Sequence, residues 1–248
     1  MNPGSITSNI DAVQVALAVF FIFFAFLVVY LRREDKREGY PLIARTPRRG
    51  SIIGWPAPPP PKTYRLMEGG TAQMPHRYPQ EPIEGVPIPR NGEPLVPAGD
   101  PLLAGIGAGA YTWRSNLPMR TMDKKLLLMP LRNATGWTVR RGEADPRGMR
   151  VLAADYRAVG TVVDIWVDRA AKILRYFEVS LSDGSGIILV PLFHCDINRG
   201  ENEIRVLVLK PHQFRFVPRP AQPDEMTARE EDRLNAFFAG ATIYSDPN

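Results

Sequence analysis

The chain has 248 residues, 44% hydrophobic and 23% charged, enough for one sizeable domain plus extra segments. Its net charge of +5, from 31 basic and 26 acidic side chains, is spread along the sequence, unlike the dense basic stripe of a nucleic-acid binder. Cys195 is the only cysteine, so an intrachain disulfide is excluded.

The first element is an apolar run. Residues 12–31, "AVQVALAVFFIFFAFLVVYL", carry no charge, and Gln14 is their one strongly polar member. Twenty residues of helix rise about 30 Å, which matches a bilayer's hydrocarbon core. A secretory signal peptide is the competing reading. It wants basic residues ahead of a shorter core and small residues after it. Here no Lys or Arg precedes the run, and Tyr30 and Leu31 end it. A retained span fits better. Arg32, Arg33, Lys36 and Arg37 follow at once, so the positive-inside rule places the remainder in the cytoplasm and Tyr30 in the interfacial zone.

Glu34, Asp35 and Glu38 lie among those bases. Continued as helix, the i,i+4 pairs are all like-charged, whereas Arg32/Asp35 and Glu34/Arg37 at i,i+3 are favourable. A solvated juxtamembrane run is the plain reading. The sharper one gives these charges partners on other chains.

Residues 39–101 hold 15 of the 25 prolines, including "WPAPPPPK" at 55–62. A disordered linker and an extended arm lying over a partner are both open. Trp55, Tyr64, Leu66, Tyr78, Ile83, Ile88 and Leu95 are interspersed, which puts the arm on an equal footing with the linker. "GIGAGA" (105–110) lacks the G-x-G-x-x-G spacing and follows no strand, so it is not a dinucleotide site.

From Gly160 the pattern turns to strands. "GTVVDIWVD" (160–168), "KILRYFEVSL" (172–181), "IILVPL" (187–192) and "EIRVLVL" (203–209) are short, with "SDGSG" (182–186) as a hairpin connection. They predict a compact antiparallel sheet forming a small barrel. A helix then fits "TAREEDRLNAFFAG". Thr227 and Glu230 form its capping box, and Gly240 is placed to end it.

His76, His194 and His212 share no metal-ligand spacing, and His194 and Cys195, adjacent in a strand, would point to opposite faces. No nucleophile elbow, P-loop or zinc motif is present, so no self-contained active site is expected. Acids and bases collect around the first two strands: Asp164, Asp168, Arg169, Arg175 and Glu178. On a barrel standing alone these are solvated. Covered by other subunits, they would become tunable.

These segments carry a resemblance. "YLRREDKREGYPL" (30–42) after a single span, "GDPL" (99–102), "DPRGM" (145–149), "GTVVDIWVDR" (160–169), "RYFEV" (175–179) and "REEDRLNAFFAGATIY" (229–244) resemble the H subunit of the purple-bacterial photosynthetic reaction centre, a PRC-barrel family. Residues 43–98 match it poorly.

The resemblance implies a fold of one N-terminal transmembrane helix, a mainly β cytoplasmic domain with a small antiparallel PRC-type barrel, and a C-terminal helix. It divides the chain into a periplasmic N-terminus (1–11), the span (12–31), a charged run with proline-rich arm (32–101), a mixed segment (102–150), the barrel (151–220) and a helix with tail (221–248). It implies a non-catalytic subunit of the bacterial inner or chromatophore membrane that caps the L and M subunits on the cytoplasmic side. Bacteriochlorophyll, bacteriopheophytin, quinones and non-haem iron would sit in those partners and none in this chain alone. A cytochrome subunit, light-harvesting antenna and membrane phospholipid are further implied partners; nucleic acid is not.

The resemblance also implies a role in proton uptake toward the secondary quinone. Asp168 matches the acid of the "WVD" motif, and Arg175 and Glu178 match its neighbours. Ala171 stands where a glutamate is common. Asp123 and Lys125 stand where some relatives carry two surface histidines at the proton entry, which leaves Asp123 as the candidate entry acid. Tyr30, Arg32, Arg33, Lys36, Arg37, Glu38 and Tyr40 are the candidate subunit or lipid contacts. A membrane-tethered barrel that binds another protein or RNA is the alternative, and a membrane-anchored enzyme is disfavoured by the missing motifs.

Overall fold

A computed structural model describes residues 11–40, 42–43, 51–67, 69–74, 85–86 and 95–245. His76, Tyr78, Ile83 and Ile88, most of the expected periplasmic terminus and the last three residues of the expected tail lie outside them. The chain divides into two units, Met1–Gln80 and Glu81–Asn248.

In the first unit, helix α1 spans Ala12–Glu34. Asp11 is its N-cap: its Oδ1 accepts the Gln14 amide at 2.8 Å, and Gln14 Oε1 accepts the Asp11 amide at 3.3 Å. Gln14 therefore serves the helix start rather than polarising the span. No residue of α1 is buried by the rest of the chain, and α1 with the short turn after it is the one helix among the described residues long and apolar enough to cross a membrane.

The helix tightens to a 3₁₀ turn at Asp35–Arg37. The arm then forms two small antiparallel ladders, β1 (Leu42–Ile43) with β2 (Ser51–Ile52) and β3 (Lys62–Arg65) with β4 (Thr71–Met74). The described part of the arm is extended and carries these two short ladders.

The second unit opens with the short pair β5 (Gly85–Val86) and β6 (Val96–Pro97). Its main body is a seven-stranded sheet: β7 (Leu128–Pro130), β8 (Arg150–Leu152), β9 (Ala158–Asp168), β10 (Ile173–Leu181), β11 (Ile187–Pro191), β12 (Cys195–Asn198) and β13 (Glu203–Val206). The order is β11-β10-β9-β8-β13-β12, with β7 on β9 beyond the end of β8. Gly184 and Gly186, both at positive φ, turn β10 into β11.

The sheet is antiparallel as expected at every pairing but one, where β13 runs parallel to β8. A parallel pair needs a long crossover, and residues 153–202, with four strands of their own, supply it.

Helix α2 spans Ala228–Tyr244. The Thr227/Glu230 capping box is present, with Glu230 N to Thr227 Oγ1 at 3.2 Å and Thr227 N to Glu230 Oε2 at 2.8 Å. Leu234, Phe237, Phe238 and Ala241 enter the core beside Ile165, Phe177, Val179, Ile188 and Val190. Gly240 does not end the helix, which continues to Tyr244. Gly240 is needed for approach: a Cβ there would stand 3.1 Å from Gly109 Cα. Gly109 of "GIGAGA" thus meets a helix backbone.

Candidate functional site

Strand β9 gathers the site. β10 pairs along one edge, while β8 and then β7 pair along the other, and residues 164–168 are all buried. Asp164 faces Glu178 across the β9/β10 ladder. Two buried carboxylates side by side need cationic or hydrogen-bonding partners.

Arg132 meets that need. It lies in the 3₁₀ turn directly after β7, so the β7/β9 ladder brings it over the pair. Its Nη1 donates to Asp164 Oδ2 at 3.1 Å and to Glu178 Oε2 at 2.9 Å. Nη2 donates to Asp224 Oδ1 at 2.6 Å and to the Pro223 carbonyl at 3.2 Å. The Trp166 indole donates to Glu178 Oε2 at 2.7 Å. Burial pulls Arg132 down, but Glu178 and Asp224 outweigh it and hold the guanidinium above its ordinary pKa.

Asp168 ends β9 and is 8% exposed. Its Oδ1 accepts the amides of Ala170 and Ala171, each at 2.9 Å, so the carboxylate caps the turn into β10. Oδ2 takes no hydrogen bond among the described residues.

Arg175 does not pair with Asp168. Its Nη2 donates to Glu231 Oε1 on α2 at 3.0 Å, and the Tyr176 hydroxyl lies 3.1 Å from the same oxygen. Burial lowers Arg175, but Tyr176, Glu231 and Asp168 more than offset it, so its pKa is raised. Burial, then the Glu231 charge, push the Tyr176 phenol well up.

Asp123 sits on an exposed hairpin, hydrogen-bonded by the Thr121 hydroxyl and 3.5 Å from Lys125 Nζ. The Thr121 bond chiefly holds its carboxyl below the usual range. The hairpin leads into β7, where Leu128 faces Asp168. Asp123 and Asp168 therefore belong to one end of the sheet, and Glu178 and Arg175 to separate networks.

The juxtamembrane candidates divide as well. Lys36 is buried, and its Nζ donates to the carbonyls of Ile53 at 2.9 Å and Pro56 at 2.7 Å, with the Tyr40 ring centroid 5.1 Å away. Arg37 donates to Glu34 at 2.8 Å, to the Pro60 carbonyl at 2.8 Å and to the Met74 carbonyl at 3.1 Å. Lys62 also reaches Glu34, at 3.1 Å. Partners for Glu34, Lys36 and Arg37 thus lie in this same chain, whereas Tyr30, Arg32, Arg33 and Glu38 are exposed.

His194 stacks on Phe238 with centroids 5.6 Å apart, and burial lowers its pKa. Cys195 Sγ bonds the Pro191 carbonyl at 3.5 Å, and burial pushes the thiol up to about 12. The two do not make a nucleophile pair. No group of three or more His, Cys, Asp or Glu suited to a metal occurs among the described residues.

The class of fold is an N-terminal helix long and apolar enough to cross a membrane, a mainly β domain and a C-terminal helix. Residues 4–133 match the family described as the photosynthetic reaction centre H-chain N-terminal region, and residues 142–213 match the PRC-barrel domain. The chain belongs to the H-chain family of the photosynthetic reaction centre and is a non-catalytic subunit.

Arg132, Trp166, Asp224 and Glu231 were missed as site residues. Each acts through a partner at least 12 positions away, and no local spacing signals that.

Proposed function

We propose that this H chain caps the cytoplasmic faces of L and M, shields their quinone region and carries part of the proton path to the secondary quinone. Its N-terminus is periplasmic and its β domain cytoplasmic. The pigments, quinones and iron belong to the partner subunits. Reducing a quinone to a quinol takes two electrons and two protons, and a site closed to water must import the protons along ionisable groups and waters.

The observation that carries this reading is Asp168: a carboxylate almost wholly buried, fixed through one oxygen, with the other left for water. Asp123 is the entry acid on the same end of the sheet. Arg175 acts on Asp168 through charge. Glu178, held by Arg132 and Trp166, anchors the strands.

Asp168→Asn tests it in the intact complex. The amide oxygen can still cap the turn, so the pigment-bearing complex should assemble and the first electron transfer should persist. The second, proton-coupled electron transfer should slow by about tenfold or more, the size expected for loss of one proton-transferring group. Small weak acids should restore it. An unchanged second-electron rate across pH would remove Asp168 from the path. Failure of the Asp168→Asn complex to assemble would point to a structural role for Asp168, whereas failure of the unaltered chain to co-purify with pigment-bearing L and M would favour the tethered-adaptor alternative.

A further inference from the structure

The arm needs a support that its own strands do not supply. Ladder β3/β4 has four residues a side, and a two-stranded ladder by itself is marginal in water. No residue of β3 or β4 is buried. Between Ile53 and Met74 only Pro56 and Pro59 are buried among the described residues, and Trp55, Leu66 and Met67 are exposed. Apolar burial therefore does not hold this stretch.

The charged run after the span holds it instead. Lys36 is 4% exposed, and its ammonium bonds two carbonyls of the arm, those of Ile53 and Pro56, beside the Tyr40 ring. Gly54 lies between those two carbonyls at φ +63°, and a Cβ there would stand 3.4 Å from Lys36 Nζ.

Arg37 grips the next stretch. Its Nη1 donates to the carbonyls of Pro60 and Met74, at the open end of the ladder where Lys62 pairs with Met74. Glu34 orients Arg37 by accepting Nε at 2.8 Å and Nη2 at 2.9 Å, and it also receives Lys62. Two adjacent cations and one acid thus tie four main-chain carbonyls, spread over residues 53–74, to the end of α1. Hydrogen bonds from ionised donors are the strong kind. The mixed signs of the run serve this: the bases hold the carbonyls, and Glu34 aims one of them.

We propose that the arm is folded in the free chain, with Lys36 and Arg37 as the clamp that ties it to the end of α1. L and M then meet a preformed surface and do not order a loose linker. Fixing the arm beforehand removes an ordering cost from assembly. The partner in this proposal rests on the capping reading, whereas the clamp rests on contacts within this chain.

The test is hydrogen exchange read by mass spectrometry. It uses the full chain in lipid nanodiscs without L and M, and the same chain in the intact complex. The amides of β3 and β4 should be protected in both. Lys36→Met combined with Arg37→Met keeps apolar stems and removes the donors. In the free chain it should speed exchange in β3 and β4 by about tenfold or more, the factor carried by loss of a hydrogen bond to a charged group. The β9–β10 ladder should keep its rate, which shows that the second unit is still folded. Amides of β3 and β4 that exchange freely in the free chain and slow only with L and M overturn the proposal, because the partners would then order the arm. Protection that the double variant leaves unchanged overturns the clamp. A protected, clamp-dependent arm on a chain that never assembles with L and M overturns the capping reading and leaves the clamp standing.

Discussion

Arg132 joins groups far apart in sequence: Asp164 and Glu178, Asp224, and the carbonyl of Pro223. Its removal would leave two carboxylates, 4% and 6% exposed, without their cation. The penalty for orphaning buried charge exceeds the net worth of the pair itself. Because the Arg132 side chain is 40% exposed, water recovers part of it. Arg132→Met should therefore destabilise the fold by about 2–4 kcal/mol, below the cost of breaking a fully buried pair. Denaturant unfolding of the detergent-solubilised chain, followed by circular dichroism, measures this. Adding Glu178→Gln should recover part of the loss. A midpoint unchanged by Arg132→Met would mean that the Trp166 and backbone bonds alone satisfy the acids.

Strand β9 shows why some elements were legible and others were not. β9, β10 and β11 each supply enough β-branched and aromatic residues to register as strands, and Gly184 and Gly186 mark their hairpin. β7 and β8 have three residues each, too few for any period, and exist because β9 offers them an edge. Without β7 there was no reason to place Arg132 over Asp164. Similarly, the glycine at 240 looked like a helix stop because its partner, Gly109, is far away in sequence. Gly160 makes a sharper test of the β9–β10 packing. A Cβ there would overlap the Ser180 carbonyl oxygen, which is backbone and cannot rotate aside. In open strand, Gly→Ala should stabilise, since glycine has more backbone freedom to lose. Here the steric term should win: Gly160→Ala should lower stability by about 1–3 kcal/mol, the range for overpacking. Thermal unfolding followed by circular dichroism reports the sign, and a raised midpoint would show that the two strands can part at little cost.

At the scale of the whole molecule the charge asymmetry about α1 governs orientation. Asp11 precedes the span, and Arg32 and Arg33 follow it, exposed at its far end. Lys36 and Arg37 hold the arm's backbone carbonyls, which composition could not reveal because the acceptors are main-chain groups. Translocating those bases would be unfavourable, because they would cross against the usual retention of Lys and Arg in the cytoplasm. The β domain should therefore face the cytoplasm. Inside-out chromatophores expose that face, so added protease should degrade residues beyond Glu38 while the α1 segment survives. Right-side-out vesicles should protect the same residues until they are opened with detergent. The folded second unit will slow cleavage, so limited digestion must be followed over time and compared with detergent-treated samples. If the β domain stays intact in sealed inside-out vesicles yet is cut once detergent is added, the orientation is the reverse, and the domain cannot cap the cytoplasmic faces of L and M.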